Sequence, residues 1–415
     1  MPARPILSAV TWVALAAGLA LPTVFPEAAN ILFLIASGLA LVLSEEKAGW
    51  MDLIRRPGIA LPLLAIALLC VAFALTASTP QHLFAAFYFL PLLMIFPLVA
   101  LFERSGQIVT VETIGLSASV GAAGAAGVAL VDSIILGEVR AGTLVNNPIH
   151  FAALALVVGF VALVGMSSKK PAVRLAVLVA PSLSLLAVVL SGSRGPMFAA
   201  LPLAALAIAL VIGRVSRQRA LFALYCLAAT AIIAVLIAWF TGVFQRFAVF
   251  AELPQLLTGG TTNDSSTSER LQIYSAAWRA FLDSPIFGHG LIDLTTPVLQ
   301  YMPEGAVLGD YQHLHNDLAD FAVAGGALGL AAYLLILVAP IVEVVRRGIW
   351  MRHPDALYLA LVISTGFFCM GLTNATFGIL SQTTLYAFVT ALVVHLCRTD
   401  AQTLASAELT SSAAP

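Results

Sequence analysis

What most constrains this chain is a succession of long apolar runs, each about as long as a bilayer is thick. A membrane-spanning helix needs about 20 mostly apolar residues, because the hydrocarbon core is about 30 Å deep and an α-helix rises about 1.5 Å per residue. Twelve segments meet that requirement: 6–21, 28–43, 59–77, 83–102, 109–131, 149–166, 172–191, 196–213, 219–242, 317–343, 356–373 and 377–396. Little is left to clothe a water-facing surface. Of 415 residues, 60% are hydrophobic and only 10% charged, against about 25% charged in a soluble domain. The pattern predicts an all-α polytopic membrane protein with about 12 transmembrane helices. It excludes a soluble enzyme, a nucleic-acid-binding protein and a secreted disulfide scaffold. The net charge of −1 points to no polyanionic partner. Cys70, Cys226, Cys369 and Cys397 lie in apolar stretches or at their edges, so no disulfide framework is expected. Pro91 and Pro97 predict a bend in the fourth segment. The first segment follows Arg4 and resembles a signal peptide, but no Ala-x-Ala site precedes a soluble domain, so an uncleaved first helix is expected.

Basic residues orient such a chain, since lysine and arginine concentrate in cytoplasmic loops. With the N-terminus in the cytoplasm, Arg4, Lys47, Arg55, Arg56, Arg104, Lys169, Lys170, Arg174, Arg214, Arg217, Arg219, Arg346, Arg347, Arg352 and Arg398 fall inside, 15 of the 20. Arg140, Arg194, Arg246, Arg270 and Arg279 fall outside, and both termini are cytoplasmic. The chain then divides into 1–242 with helices 1–9, a long outer loop 243–316 holding short helices, 317–396 with helices 10–12, and a tail 397–415 expected to be disordered. The long loop has a Gly/Thr/Ser/Asn cluster at 258–268, an amphipathic helix predicted from Ser268 to Leu282, and Asp283-Ser284-Pro285 as its stop. A second outer loop covers 132–148.

Every outer basic residue is arginine, whose planar fork grips phosphate bidentately and keeps its charge when partly dehydrated. The plain alternative is snorkelling, or pairing with a loop acid such as Glu138 or Asp264. Arg194 lies in the short turn Ser191-Gly192-Ser193-Arg194-Gly195-Pro196, where an anion would meet a helix N-terminus as well as a guanidinium. Gly and Pro alone would also suffice for an ordinary hairpin turn. On the predicted loop helix, Arg270 and Tyr274 share one face, and Leu271 and Trp278 another. A surface salt bridge from Arg270 to Glu269 or Asp264 is the bland reading there.

His313-Leu314-His315-Asn316-Asp317 stands where the long loop enters the tenth helix. Histidine is suited to proton transfer near neutral pH. Asn316 or Asp317 can cap the helix. Three readings stay open: a general base beside a phosphate site, a capped junction without chemistry, and a metal site from His-x-His plus Asp317. The loop holds no cysteine, and its other histidine is His289. His82, His150, His353 and His395 are isolated at loop edges and read as interface residues.

These stretches, in this order, resemble the O-antigen ligase and polymerase superfamily of bacterial surface-polysaccharide enzymes. The likeness rests on Arg140-Ala141-Gly142-Thr143 through Asn147-Pro148, on Ser193-Arg194-Gly195, and on Arg270…Trp278 followed by Pro285-Ile286-Phe287-Gly288-His289-Gly290. It ends with His313-x-His315-Asn316 and Gly325-Gly326-Ala327-Leu328-Gly329, so that it covers about 140–330. The resemblance implies a GT-C-like glycosyltransferase of the bacterial inner membrane, with its site on the periplasmic face and an undecaprenyl-diphosphate-linked glycan as donor. Ligases pass the glycan to a lipid A-core sugar, polymerases to another lipid-linked glycan, and related enzymes to protein serine or threonine. By motif position Arg194 and Arg270 are the expected diphosphate ligands, with Arg140 and Arg279 as further candidates. His315 is the expected base and His313 the second candidate. Asp317 departs from the family's less acidic pattern.

Sugar transfer from a diphosphate needs the leaving phosphates neutralised, an acceptor hydroxyl deprotonated and the two held in line. Arginines can stand in for a divalent cation, so no cofactor and no metal is expected, and the reaction should invert the anomeric centre. A compact outer loop favours a ligase over a polymerase. A secondary transporter is the competing class, but Glu112, Asp320 and Glu343 sit toward helix ends rather than mid-membrane. A lipid-glycan-binding scaffold without catalysis would need the arginines but not His315.

Overall fold

The computed structural model of the protein describes residues 3–43, 49–105, 108–210, 216–243, 245–246, 264–292, 294–304, 312–346 and 354–412. The expectations for 258–263, Lys47, Arg214, Arg347, Arg352 and His353 lie outside them. The helices are α1 (Ala3–Leu15), α2 (Pro26–Leu43), α3 (Trp50–Ile54), α4 (Pro57–Thr76), α5 (Leu90–Leu93), α6 (Ile95–Arg104), α7 (Val111–Leu130) and α8 (Pro148–Ala162). They continue as α9 (Pro171–Leu190), α10 (Arg194–Leu210), α11 (Arg217–Phe240), α12 (Ser265–Asp283), α13 (Thr296–Leu299), α14 (Asp317–Arg346), α15 (Pro354–Gly371) and α16 (Leu380–Ser412). Among the described residues there are no strands, and 10 helices are long and apolar enough to cross a membrane. Two shorter apolar helices, Pro5–Ala20 and Arg194–Ala209, stand where the first and eighth segments are expected. The protein is thus an all-α polytopic membrane protein.

Local sequence explains the breaks. The fourth segment is a 3-10 helix over Pro80–Phe89 followed by α5 and α6, with Pro91 and Pro97 in the first turns of those pieces, where a backbone N–H has no intrahelical partner. The last helix runs on to Ser412, so 397–412 is helical where disorder is expected. Its Ala, Leu, Gln and Glu residues are good helix formers, and they extend turns already nucleated in the core. α8 and the first half of α16 are buried along almost their whole length and α11 almost nowhere, so the first two form the centre and α11 the rim. Two of the three acids expected toward helix ends meet local partners at the end away from the histidines. Glu112 takes Lys170 at 2.7 Å, and buried Glu343 accepts from the Gly58 N–H at 3.1 Å.

α14 is interrupted. At Gly326 φ is 59° and ψ is −142°, outside any helix. A break inside an apolar bundle frees N–H and C=O groups that lipid cannot satisfy. The segment 285–290 satisfies them. His289 N–H donates to Val323 O at 2.8 Å and Gly290 N–H to Ala324 O at 2.9 Å. In return, the N–H groups of Ala327 and Leu328 donate to the carbonyls of Pro285 and Ile286 at 2.8 and 3.3 Å. The two backbones come so close that a Cβ on Gly288 would lie 2.5 Å from the Ala324 carbonyl carbon, and one on Gly326 2.5 Å from that of Ile286. Both glycines also have left-handed φ, 71° and 59°. The His289 ring donates from Nε2 to Ala280 O at 2.7 Å, which ties the same segment to α12. α12 is thereby registered against the start of α14.

This docking sets an order of stabilities. Gly288→Ala and Gly326→Ala add a clash to a left-handed residue and should each cost about 3–5 kcal/mol. Gly137→Ala, at φ 69° with nothing within 4 Å of its Cβ, should cost only about 1–2 kcal/mol. Thermal unfolding of the detergent-solubilised variants checks the ranking.

Candidate active site

Loops at one end of the bundle gather four arginines. The turn between α9 and α10 closes at Gly192, with φ 63°. Gly195 lets the loop 372–379 approach, since a Cβ there would lie 2.1 Å from Thr373 Oγ1. Arg140 reaches this turn from the loop after α7. Its Nε donates to Ser191 O at 2.9 Å and its guanidinium to Ser193 Oγ at 3.3 Å. Buried Asp132 shapes that loop by accepting from the Gly142 N–H at 2.6 Å. Arg246, on the turn after α11, accepts at its carbonyl from Arg194 Nε at 2.8 Å. Arg270 comes from α12. The four guanidiniums line one pocket with Ser266 and Thr373, and among the described residues no acid lines it.

Asp264 is the nearby counter-ion. It grips the Arg194 fork bidentately at 2.7 and 2.8 Å, and it caps α12 by accepting from Thr267 N–H at 2.9 Å. Those bonds from Arg194 and Thr267 hold the Asp264 carboxyl far below the usual carboxylate range. The loop-acid pairing weighed for any outer arginine is therefore realised at Arg194. The other cations stay crowded. Burial first, then Arg246, Arg270 and Arg194, push Arg140 down to about 10. Burial and Arg194 likewise lower Arg246, whose Nε is buried with no partner among the described residues. A polyanion entering here would relieve both the repulsion and the orphaned donor.

The histidines stand beside this cluster. His313 and His315 pack edge to face, ring centroids 4.5 Å apart. His315 has φ 58°, the one non-glycine in the left-handed region among the described residues, an uncommon backbone for a residue with a side chain. The Tyr274 hydroxyl donates to the His315 carbonyl at 2.8 Å, while Nδ1 lies 2.9 Å from Asn374 Oδ1. Burial chiefly, and the Arg270 charge, lower the His315 imidazole; the Asn374 bond and Glu269 work against them. Burial, His315, His150 and Arg270 push His313 down to about 3. Of the two capping candidates Asn316 is the cap, its Oδ1 accepting from the Leu318 N–H at 2.9 Å. Asp317 is wholly buried and accepts from the backbone N–H and the hydroxyl of Thr376, so it clips two loops together rather than acidifying the site. Asp320 accepts from the Leu314 N–H at 2.6 Å.

On the His313 side, an apolar cavity of about 310 Å³ opens between α4, α14 and the loop 372–379, lined by Phe73, Tyr88, Phe89, Phe321 and Phe377. Three consecutive residues connect the parts. Thr373 lines the arginine pocket, Asn374 meets His315, and Ala375 lines the cavity.

The structure therefore brings Arg140, Arg194, Arg270, His313 and His315 together. It leaves Arg279 exposed on the far side of α12, near Tyr301. Nine positions separate it from Arg270, about two and a half helical turns. Arg270 and Tyr274 face the site while Leu271 and Trp278 are exposed, as the helical spacing predicts. Arg246, Asn374 and His150 also belong to the neighbourhood. Arg246 carried a signal as an outer arginine; the other two had none. Among the described residues no three of His, Cys, Asp and Glu converge as a metal site would require.

Fold and site together define a multi-pass helical membrane protein with a basic pocket and a histidine pair at one end. Residues 179–334 match the model of the family described as O-antigen ligase, a likeness that supports the O-antigen ligase and polymerase superfamily for this stretch. The match contains Arg194, Arg246, Arg270 and both site histidines, while Arg140 and Asn374 lie outside it. No curated protein matches the chain.

The pocket should bind inorganic pyrophosphate. Removing Arg246 or Arg270 by substitution to Ala should weaken that binding by about 1.5–3 kcal/mol, roughly 10- to 100-fold. Arg279→Ala should leave it unchanged. Titration calorimetry on the solubilised protein measures the difference.

Proposed function

We propose that the protein is an O-antigen ligase. It transfers a glycan from undecaprenyl diphosphate to a lipid A-core sugar at the periplasmic face of the bacterial inner membrane, without a metal ion and with inversion. The observation that carries this reading is the pocket of four guanidiniums beside the half-buried His315, whose imidazole is lowered chiefly by burial. The outer placement of these arginines rests on the 15-to-5 division of basic residues. Arg140, Arg246 and Arg270, with Arg194 once Asp264 is exchanged, take up the charge that develops on the departing diphosphate. His315 removes the proton of the acceptor hydroxyl. That oxygen attacks the anomeric carbon from the face opposite the diphosphate, and the bond from that carbon to the diphosphate oxygen breaks, its electron pair leaving on undecaprenyl diphosphate. The aromatic cavity on the His313 side gives the acceptor room opposite the leaving group. Polymerases and protein-glycosylating relatives would use the same machinery with another acceptor. A transporter is disfavoured because Glu112, Glu343, Asp317 and Asp320 are engaged in local hydrogen bonds.

Purified protein with lipid-linked donor and acceptor tests the reaction. His315→Ala should lower transfer by about 10²–10⁴-fold, and Arg270→Ala by about 10²–10³-fold. His315 must be neutral to act, and its pKa is lowered, so the acid limb of the rate should lie below the ordinary histidine value of 6.5. Full activity in His315→Ala removes the base assignment, and loss with EDTA restored by a divalent ion removes the metal-free one. Deleting the gene separates acceptors: loss of all attached glycan means a ligase, a single attached repeat unit a polymerase.

A further inference from the structure

We propose that Asn374 is a positioning residue for His315: it holds the imidazole in the tautomer that carries its hydrogen on Nδ1, so that Nε2 is the nitrogen that takes the acceptor's proton. This rests on the reading of His315 as the base. The argument begins with the amide. Its Nδ2 donates to the Ala375 carbonyl at 3.1 Å, and an amide nitrogen can only donate. The amide is therefore turned so that Oδ1 faces His315 Nδ1, 2.9 Å away. An amide oxygen can only accept, so the ring nitrogen opposite it must bear the hydrogen.

The surroundings hold that geometry on both sides. Asn316 Nδ2 donates to Leu372 O at 3.2 Å, and Asp317 accepts from the Thr376 N–H at 2.7 Å. Three successive residues, 315, 316 and 317, thus pair with 374, 372 and 376. The contact between His315 and Asn374 sits between two braces, and the Asn374 N–H is itself bonded to Met370 O at 3.1 Å. Tyr274 fixes the His315 carbonyl from α12. The charged and titratable groups around the ring are Arg270, Glu269 and Tyr274 on α12, His313 on its own loop and His150 on α8. An uncharged amide selects the tautomer without adding a negative charge opposite the ring. An aspartate in its place would also orient the ring, but it would favour the imidazolium.

The test uses the full-length protein in nanodiscs with lipid-linked donor and acceptor. Asn374→Ala should lower kcat by about 10²–10⁴-fold, as loss of the correct tautomer does in a catalytic triad. Donor KM should stay within about threefold, because only an interaction of the transition state is lost. Asn374→Asp should recover at least about tenfold over Asn374→Ala at alkaline pH, with the acid limb of its profile moved up by about one unit or more. A merely structural role would move neither the profile nor the split between kcat and KM. Nitrogen NMR of histidine-labelled protein, with the His315 signal assigned by its loss in His315→Ala, should show Nδ1 protonated. A signal with hydrogen on Nε2 overturns the inference, as does wild-type kcat in Asn374→Ala while His315→Ala is inactive. Activity in His315→Ala is a different result: it removes the base reading itself, and this role with it.

Discussion

The polar end of this molecule depends on how one broken helix satisfies its backbone. Freed N–H and C=O groups in an apolar bundle have no water to turn to, so the interruption of α14 at Gly326 is stable only with a partner fitted into it. The segment 285–290 is that partner, and its four backbone hydrogen bonds fix where the loop helix α12 must lie. Arg270 and Tyr274 ride on α12, while His315 stands just before α14. The spacing between the arginine pocket and His315 therefore depends on backbone hydrogen bonding as well as on side-chain contacts such as that of Tyr274 with the His315 carbonyl.

A second constraint is charge. Most side chains of the bundle interior are apolar, and the buried acids at the polar end serve the backbone: Asp132 holds the loop of Arg140, Asp317 the segment of Asn374, and Asp320 the Leu314 amide. Such bonds are the usual condition for burying a carboxylate. They leave the arginines to crowd one another, and that repulsion adds to burial, the larger cause, in lowering Arg140 and Arg246. Ground-state repulsion of this kind is released when negative charge arrives, and this is the electrostatic arrangement expected where charge develops on a leaving group.

The fold was legible because bilayer thickness dictates segment length: among the described residues, the twelve apolar stretches correspond to ten long spans and two shorter helices. The arginine and histidine motifs were legible because each holds its chemistry within a few residues. Asn374 was not, since an asparagine after an apolar helix has no local signature and acquires meaning only from a contact 59 positions away. Asp317 was misleading for the same reason. Next to His-Asn it reads as part of the polar corner, whereas its partner Thr376 lies on another loop. Arg279 shares a short helix with Arg270 but not its face, a difference that helical phase carries and a list of outer arginines does not.

The bidentate pair of Arg194 with Asp264 would make the pocket an ion exchanger rather than an open charge. An anion arriving at Arg194 trades places with a carboxylate tethered to the same chain, whose effective concentration is on the order of millimolar or higher. A monovalent ion swaps like for like and gains little. An ion of higher valence could displace Asp264 and still reach Arg246 and Arg270, so under the proposed function the exchange would sort ligands by valence. Set loose from Arg194, Asp264 keeps its place as the cap of α12 through Thr267, and the helix that carries Arg270 need not fray when the counter-ion changes hands.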